Sequence, residues 1–364
     1  MRGRTATAIA GTALALGLIA AIGLGASALA ATDGYTVTRL VSDQAGAAAT
    51  RDRRLVNAWG LAAGPSTFWW TANNGTDTSS LVDGAGTPQP LVVGVRGAPT
   101  GLVFNGGTGF PVTDGTTRAS ALFLFSTEAG TIRGWSPTVG TATPPSTHTE
   151  EVVDRSRKDA IYKGLAIAST ADGDRLYATD FHNGRVDVFD DAFQRVRAAG
   201  AFSDPNIPPR FAPFGIQSIG GDIFVSYAKQ DADAEDDVSG RHLGYVDEFD
   251  TSGQLVQRIA TRGPLNAPWG LAMAPADFGT ASGDLLVGNF GDGRIHAYDV
   301  SAMGSPSLVG TLAKANGTPI AIDGLWGLGF GNDGNAGPAN SLYFTAGPDD
   351  EAHGLFGSIT VATP

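Results

Sequence analysis

One short phrase, written six times, constrains the fold of this chain more than any other feature. An often aromatic residue, then Gly, an aliphatic residue and a small or aliphatic pair recur. The copies are Trp59-Gly60-Leu61-Ala62, Thr100-Gly101-Leu102-Val103, Lys163-Gly164-Leu165-Ala166, Phe214-Gly215-Ile216-Gln217, Trp269-Gly270-Leu271-Ala272 and Trp326-Gly327-Leu328-Gly329. Their glycines lie at intervals of 41, 63, 51, 55 and 57 residues, a period close to that of one β-propeller blade.

The residues that follow each phrase support this reading. In the clearest copy an apolar strand, Arg175-Leu176-Tyr177-Ala178-Thr179-Asp180, leads through the turn Phe181-His182-Asn183-Gly184 into Arg185-Val186-Asp187-Val188-Phe189-Asp190. Alternating apolar and polar residues across an Asn-Gly turn predict a hairpin. The same hairpin recurs over Asp284–Asn289 and Arg294–Asp299, and a fourth strand follows in most copies, as at Pro90–Val95 and Gln254–Ile259. Six repeats of four strands predict an all-β, six-bladed propeller. Glycine makes up 51 of the 364 residues, and its place in the phrase suits innermost strands whose backbones approach closely. The sixth repeat ends without a fourth strand, so Tyr35–Ser42 is expected to supply it, closing the ring and covering an open edge.

The hairpin from Arg175 to Asp190 resembles an NHL repeat, with Asp180, Asn183, Arg185 and Asp190 at its characteristic positions. Asn289, Asp292, Arg294 and Asp299 match more loosely, and the other four repeats depart from the pattern in the turn. The opening Leu55-Val56-Asn57-Ala58-Trp59-Gly60-Leu61-Ala62 and the close Trp326-Gly327-Leu328-Gly329-Phe330-Gly331-Asn332 resemble an uncharacterised family of exported bacterial six-bladed propellers. The resemblance implies the fold and leaves the activity open.

Residues 1–30 read as a secretory signal peptide: Arg2 and Arg4, an apolar stretch from Ala8, then Ala28-Leu29-Ala30. Cleavage near Ala30 would leave residues 31–364 as a single propeller domain, secreted, monomeric and without a membrane span. The formal net charge of −12 argues against nucleic acid as a partner, and the absence of Cys excludes disulfides, thiolate zinc and a cysteine nucleophile. Neither a Gly-x-Ser-x-Gly elbow nor a phosphate-cradling Gly-Lys-Ser/Thr loop occurs. Gly329–Gly334 matches a dinucleotide fingerprint only by its letters, since no helix pattern follows it.

In a propeller the loops entering the innermost strands share a face with the second-to-third-strand turns. This places Asn57, Trp59, Lys163, Phe214, Asn266, Trp269, Asp323 and Trp326 around a channel mouth as candidate ligand-binding residues, with Thr100 among them. Asn73, Asn74, Asp77, Glu128, Asp180, His182, Asn183, Lys229, His242, Asn289, Asp292, Asp349, Asp350, Glu351 and His353 are expected further out. Such an oxygen-rich mouth suits Ca²⁺, and three imidazoles can hold Zn²⁺. Asp180, His182, His242, Asn289 and His353 are therefore the candidate metal ligands, although Asp and Asn in hairpin turns usually bond their own backbone. Lys163 reads either as an anion-binding or basic group or as a solvated lysine snorkelling past Tyr162. The large aromatics either line a pocket or pack between blades. The run Asp231–Asp237 lacks the glycine of an EF-hand turn and reads as a solvated acidic loop. Two functions fit: a scaffold binding a small molecule, glycan or protein at the mouth, or a metal-dependent hydrolase or lyase, lactonase-like, acting there.

Overall fold

The computed structural model describes residues 34–197 and 200–362, so the expected signal peptide and its cleavage point lie outside the described residues. Six small antiparallel sheets are arranged as a six-bladed β-propeller. The first blade is built from Ala58–Ala62, Trp69–Asn73, Thr78–Val82 and Pro88–Gly94, and the third from Tyr162–Thr170, Gly173–Asp180, Arg185–Asp190 and Arg195–Val196. Asn183-Gly184 turns the predicted hairpin, with Gly184 at φ 63°, where a side chain would strain the backbone. The second blade carries an extra hairpin, Pro111–Thr113 with Arg118–Ser120, between its first two strands. Among the described residues no helix is long and apolar enough to cross a membrane.

The ring closes as the alternation at Tyr35–Ser42 predicts. That strand pairs antiparallel with Leu355–Val361, from Tyr35 opposite Val361 to Ser42 opposite Leu355, and the short strand Thr50–Arg51 adds beyond it in parallel. The last blade therefore joins both ends of the ring and has five strands rather than four.

The six glycine phrases form the axis. Gly60, Gly101, Gly270 and Gly327 and their aliphatic neighbours, with Leu165 and Ile216, surround a cavity of about 30 Å³, room for one water. A Cβ on Gly215 would overlap the carbonyl oxygen of Trp269 in the next blade, and the other five phrase glycines also face the following blade closely. In every blade the ladder between first and second strands slips at the phrase, a bulge that re-aims the residue before the glycine. Trp59, Thr100, Lys163, Phe214, Trp269 and Trp326 all sit at such a slip.

Second-strand hydroxyls clamp neighbouring blades together, a device that the sequence reading did not anticipate. Ser226 Oγ accepts the Gly215 N–H (3.0 Å) and donates to the Pro268 carbonyl of the next blade (2.7 Å). Thr345 Oγ1 likewise accepts from Gly327 N and donates to the Trp59 carbonyl, while Thr179 Oγ1 donates to Phe214. Ser226→Ala leaves a buried N–H and a buried carbonyl without this partner, and is expected to cost about 1–3 kcal/mol, read as a lowered urea midpoint at unchanged slope.

Candidate functional site

The bulges bring four large aromatics into one layer across the channel mouth. Trp59 stacks on Trp326 with ring centroids 3.5 Å apart, Phe290 stacks on Trp326 at 4.1 Å, and Phe214 and Trp269 meet Trp59 edge-on. Trp59, Phe214, Trp269 and Trp326 are all buried. The layer packs as a core, so the surface it offers the mouth is that of the polar groups above it. Indole N–H groups tie the layer to those groups: Trp269 Nε1 donates to the Lys163 carbonyl (3.0 Å) and Trp326 Nε1 to Asn57 Oδ1 (3.1 Å). Trp59 Nε1 is buried without a hydrogen-bond partner among the described residues.

Lys163 is not the solvated lysine that snorkelling past Tyr162 would make it. It is 1% exposed, with Nζ bonded to Glu128 Oε1 and to Asp236 Oδ1 (3.0 Å), and it lies 5.2 Å from the centroid of the Trp59 ring. Burial alone would push its pKa down, but the Glu128 and Asp236 carboxylates outweigh it and hold the ammonium above its ordinary value. The acidic loop is largely solvated as expected, with Asp233, Glu235 and Asp236 exposed, but it also contacts Lys163. Asp236, 74% exposed, reaches inward to Lys163, and Asp237 is partly buried beside it. The loop is held by the Gly240 N–H on Asn266 Oδ1 (2.6 Å) and by the Asp231 N–H on the Asp236 carbonyl (2.9 Å).

The network runs on across the mouth. Asn74 Nδ2 donates to the other oxygen of Glu128 (2.8 Å), and Asn57 Nδ2 donates to Asn74 Oδ1 (3.3 Å) and to Glu351 Oε2 (2.5 Å). Five of the six blades thus contribute to one chain of contacts, and Asn266 ties the fifth blade to the loop. Backbone strain helps to deliver it. Asn57 sits at φ 46°, and Asp349, Asp350 and Glu351 form a left-handed turn at φ 58°, 52° and 65° that presents Glu351. Burial, then the like charges of Glu351 and Asp236, push the Asp237 carboxyl up to about 7, with Lys163 opposing. Burial also raises Glu351, partly offset by its bond from Asn57.

Of the expected mouth residues, the structure brings together Asn57, Trp59, Lys163, Phe214, Asn266, Trp269 and Trp326, while Asp323 stays on the exposed rim, accepting the Asp349 N–H (2.9 Å). Asn74, Glu128 and Glu351, expected further out, lie inside. The five candidate metal ligands do not meet. Asp180 is buried against Arg185 (2.9 Å) and Asn183, and Asn289 bonds Asp292 and His296. His353 Nδ1 bonds Asp43 (2.8 Å), and His242 is exposed. His182 Nδ1 is buried without a partner among the described residues. Among the described residues no three His, Asp or Glu side chains are grouped to hold a metal ion.

The fold is shared with solved structures at low sequence identity. The chain matches virginiamycin B lyase from Staphylococcus aureus at a TM-score of 0.51 and 13% identity, over 90% of this chain and all of that one. A protein of unknown function from Bacteroides thetaiotaomicron matches at 0.53 and 12%, over 91% and 76%. No protein-family profile matches the chain. Two uncharacterised proteins of Acanthamoeba polyphaga mimivirus align far more strongly. One is 34% identical over 336 residues, covering 89% of this chain and 80% of the viral protein, and the other is 32% identical over 341 residues, covering 89% and 85%. Across most of the length of both, this chain belongs to the same family as these mimivirus proteins.

Proposed function

We propose that the protein is an exported binding propeller whose mouth takes a cationic group, an amine or guanidinium carried by a small molecule or peptide. The observation that carries this reading is the crowding of Glu128, Asp236, Asp237 and Glu351 around a single ammonium, where burial first and then the like charges push the Asp237 carboxyl up to about 7. A second cation would offset the like-charge repulsion and the burial that hold that proton on. The Lys163 ammonium near the Trp59 ring is an internal example of the same chemistry. The metal-dependent hydrolase or lyase is the second reading, and its expected ligands Asp180, His182, His242, Asn289 and His353 do not meet among the described residues.

Ethylguanidine, cationic throughout, tests the reading, with ethylurea as its neutral match, by calorimetry from pH 5.5 to 8.5. Pairing needs ionised Asp237, so below its pKa the ligand must displace a proton and affinity should fall by up to about tenfold per pH unit. Affinity therefore rises with pH and levels off above about 7, and Asp237→Asn flattens the profile. Equal binding of ethylurea, or affinity that falls as pH rises, would overturn the proposal.

A further inference from the structure

The third blade departs from the others at its outer edge. Its fourth strand is the two-residue Arg195–Val196, where the other single-chain blades have outer strands of five to seven residues, such as Glu150–Asp154 and Leu255–Thr261. The short strand leaves a cleft of about 870 Å³ beside the fourth blade, within the range of small-molecule sites. Its apolar wall includes Val186, Val188, Val196 and Phe202, and Arg175, Arg185, Arg195 and Arg197 also line it.

Four guanidiniums in one cleft stand out in a chain with a net charge of −12. Their counter-charges are few. Arg155, Arg185 and Arg195 all converge on the buried carboxylate of Asp187, and Arg185 also pairs with Asp180. Arg175 is 3.7 Å from the exposed Asp172. Arg155 Nε and Arg195 Nε are buried with no hydrogen-bond partner among the described residues. Two buried carboxylates serve three arginines, Arg175 is matched by Asp172, which also lines the cleft, and Arg197 adds to the surplus there.

We propose that this cleft is a second binding site, separate from the mouth, for an organic oxyanion. Guanidinium forks would hold its phosphate or carboxylate, and the valines and Phe202 its apolar part. The guanidinium geometry suits either oxyanion, and the apolar wall favours one attached to a ring or short chain over the bare ion.

The test is calorimetry at fixed ionic strength on the purified protein with phenyl phosphate, benzoate, inorganic phosphate and benzylamine. Phenyl phosphate should saturate, with benzoate weaker because it carries less charge, and both should bind about tenfold or more tighter than inorganic phosphate, the apolar wall supplying the difference. Arg175→Gln combined with Arg197→Gln should weaken phenyl phosphate by about tenfold or more. Both residues lie outside the Asp187 cluster, and an unchanged thermal melt of this variant confirms that it is folded. Asp237→Asn, at the mouth, should leave phenyl phosphate binding unchanged. Absence of saturable binding, equal binding of benzylamine, or full affinity in the folded double variant would overturn the proposal.

Discussion

Removing Gly34–Asp43 lowers the melting temperature by roughly 7–12 °C, the largest effect expected of any change considered. Tyr35, Leu40 and Val41 are buried in the closed ring, and each contributes about 1.5–3 kcal/mol by burial. Tyr35 also bonds across to the fifth blade, its hydroxyl donating to the Phe278 carbonyl (2.9 Å) and its N–H to Ala313 (2.8 Å). Lost with the strand are its ladder to Leu355–Val361 and the Ser42 hydroxyl on Gly354 (2.8 Å). A loss of about 5–8 kcal/mol takes most of the 5–15 kcal/mol typical of a folded domain. Calorimetry of the shortened chain measures the drop, and a synthetic peptide of residues 34–43 added in trans should recover part of it by re-covering the edge. A transition within about 2 °C of the intact protein would show that closure adds little.

The closing strand was legible because its signal is local: an eight-residue alternating segment, Tyr35–Ser42, and a final repeat lacking a strand. The hairpin over Gly173–Asp180 and Arg185–Asp190 was legible for the same reason. The mouth was legible in part. The residue before each phrase glycine is the one the bulge turns toward the axis, so Trp59, Lys163, Phe214, Trp269 and Trp326 could be placed together. Their surroundings could not be. Whether Asp231–Asp237 faces water or folds over Lys163 depends on loop length and anchoring at Asn266, which no periodicity encodes. The inward reach of Glu351 depends on three consecutive left-handed residues, none of them glycine, which propensity argues against. Asp187 shows the same limit. Its alternating position within a strand gives no sign that three arginines, one of them from the preceding loop, meet on it.

Asp187→Asn is the second large effect. The carboxylate is fully buried, with Oδ1 accepting from Arg185 Nε (3.0 Å) and Arg195 Nη2, and Oδ2 accepting from the Tyr162 hydroxyl (3.0 Å), with Arg155 Nε 3.7 Å away. An amide keeps the shape and removes the charge, leaving three guanidiniums to share Asp180. Breaking a buried ion cluster on one side costs about 3–5 kcal/mol, and the partial exposure of these arginines places the loss toward the lower end. Lys163→Met should cost less despite the deeper burial of the lysine, because Asp236 is 74% exposed and Glu128 28%, so water can solvate the carboxylates left behind. Urea midpoints of the two variants test the order, and a loss below about 1 kcal/mol for Asp187→Asn would mean that the arginines are neutralised elsewhere. The same variant bears on the cleft. Guanidiniums released from Asp187 are free to turn toward a bound oxyanion, so phenyl phosphate should raise the melting temperature of Asp187→Asn by more than that of the unaltered protein.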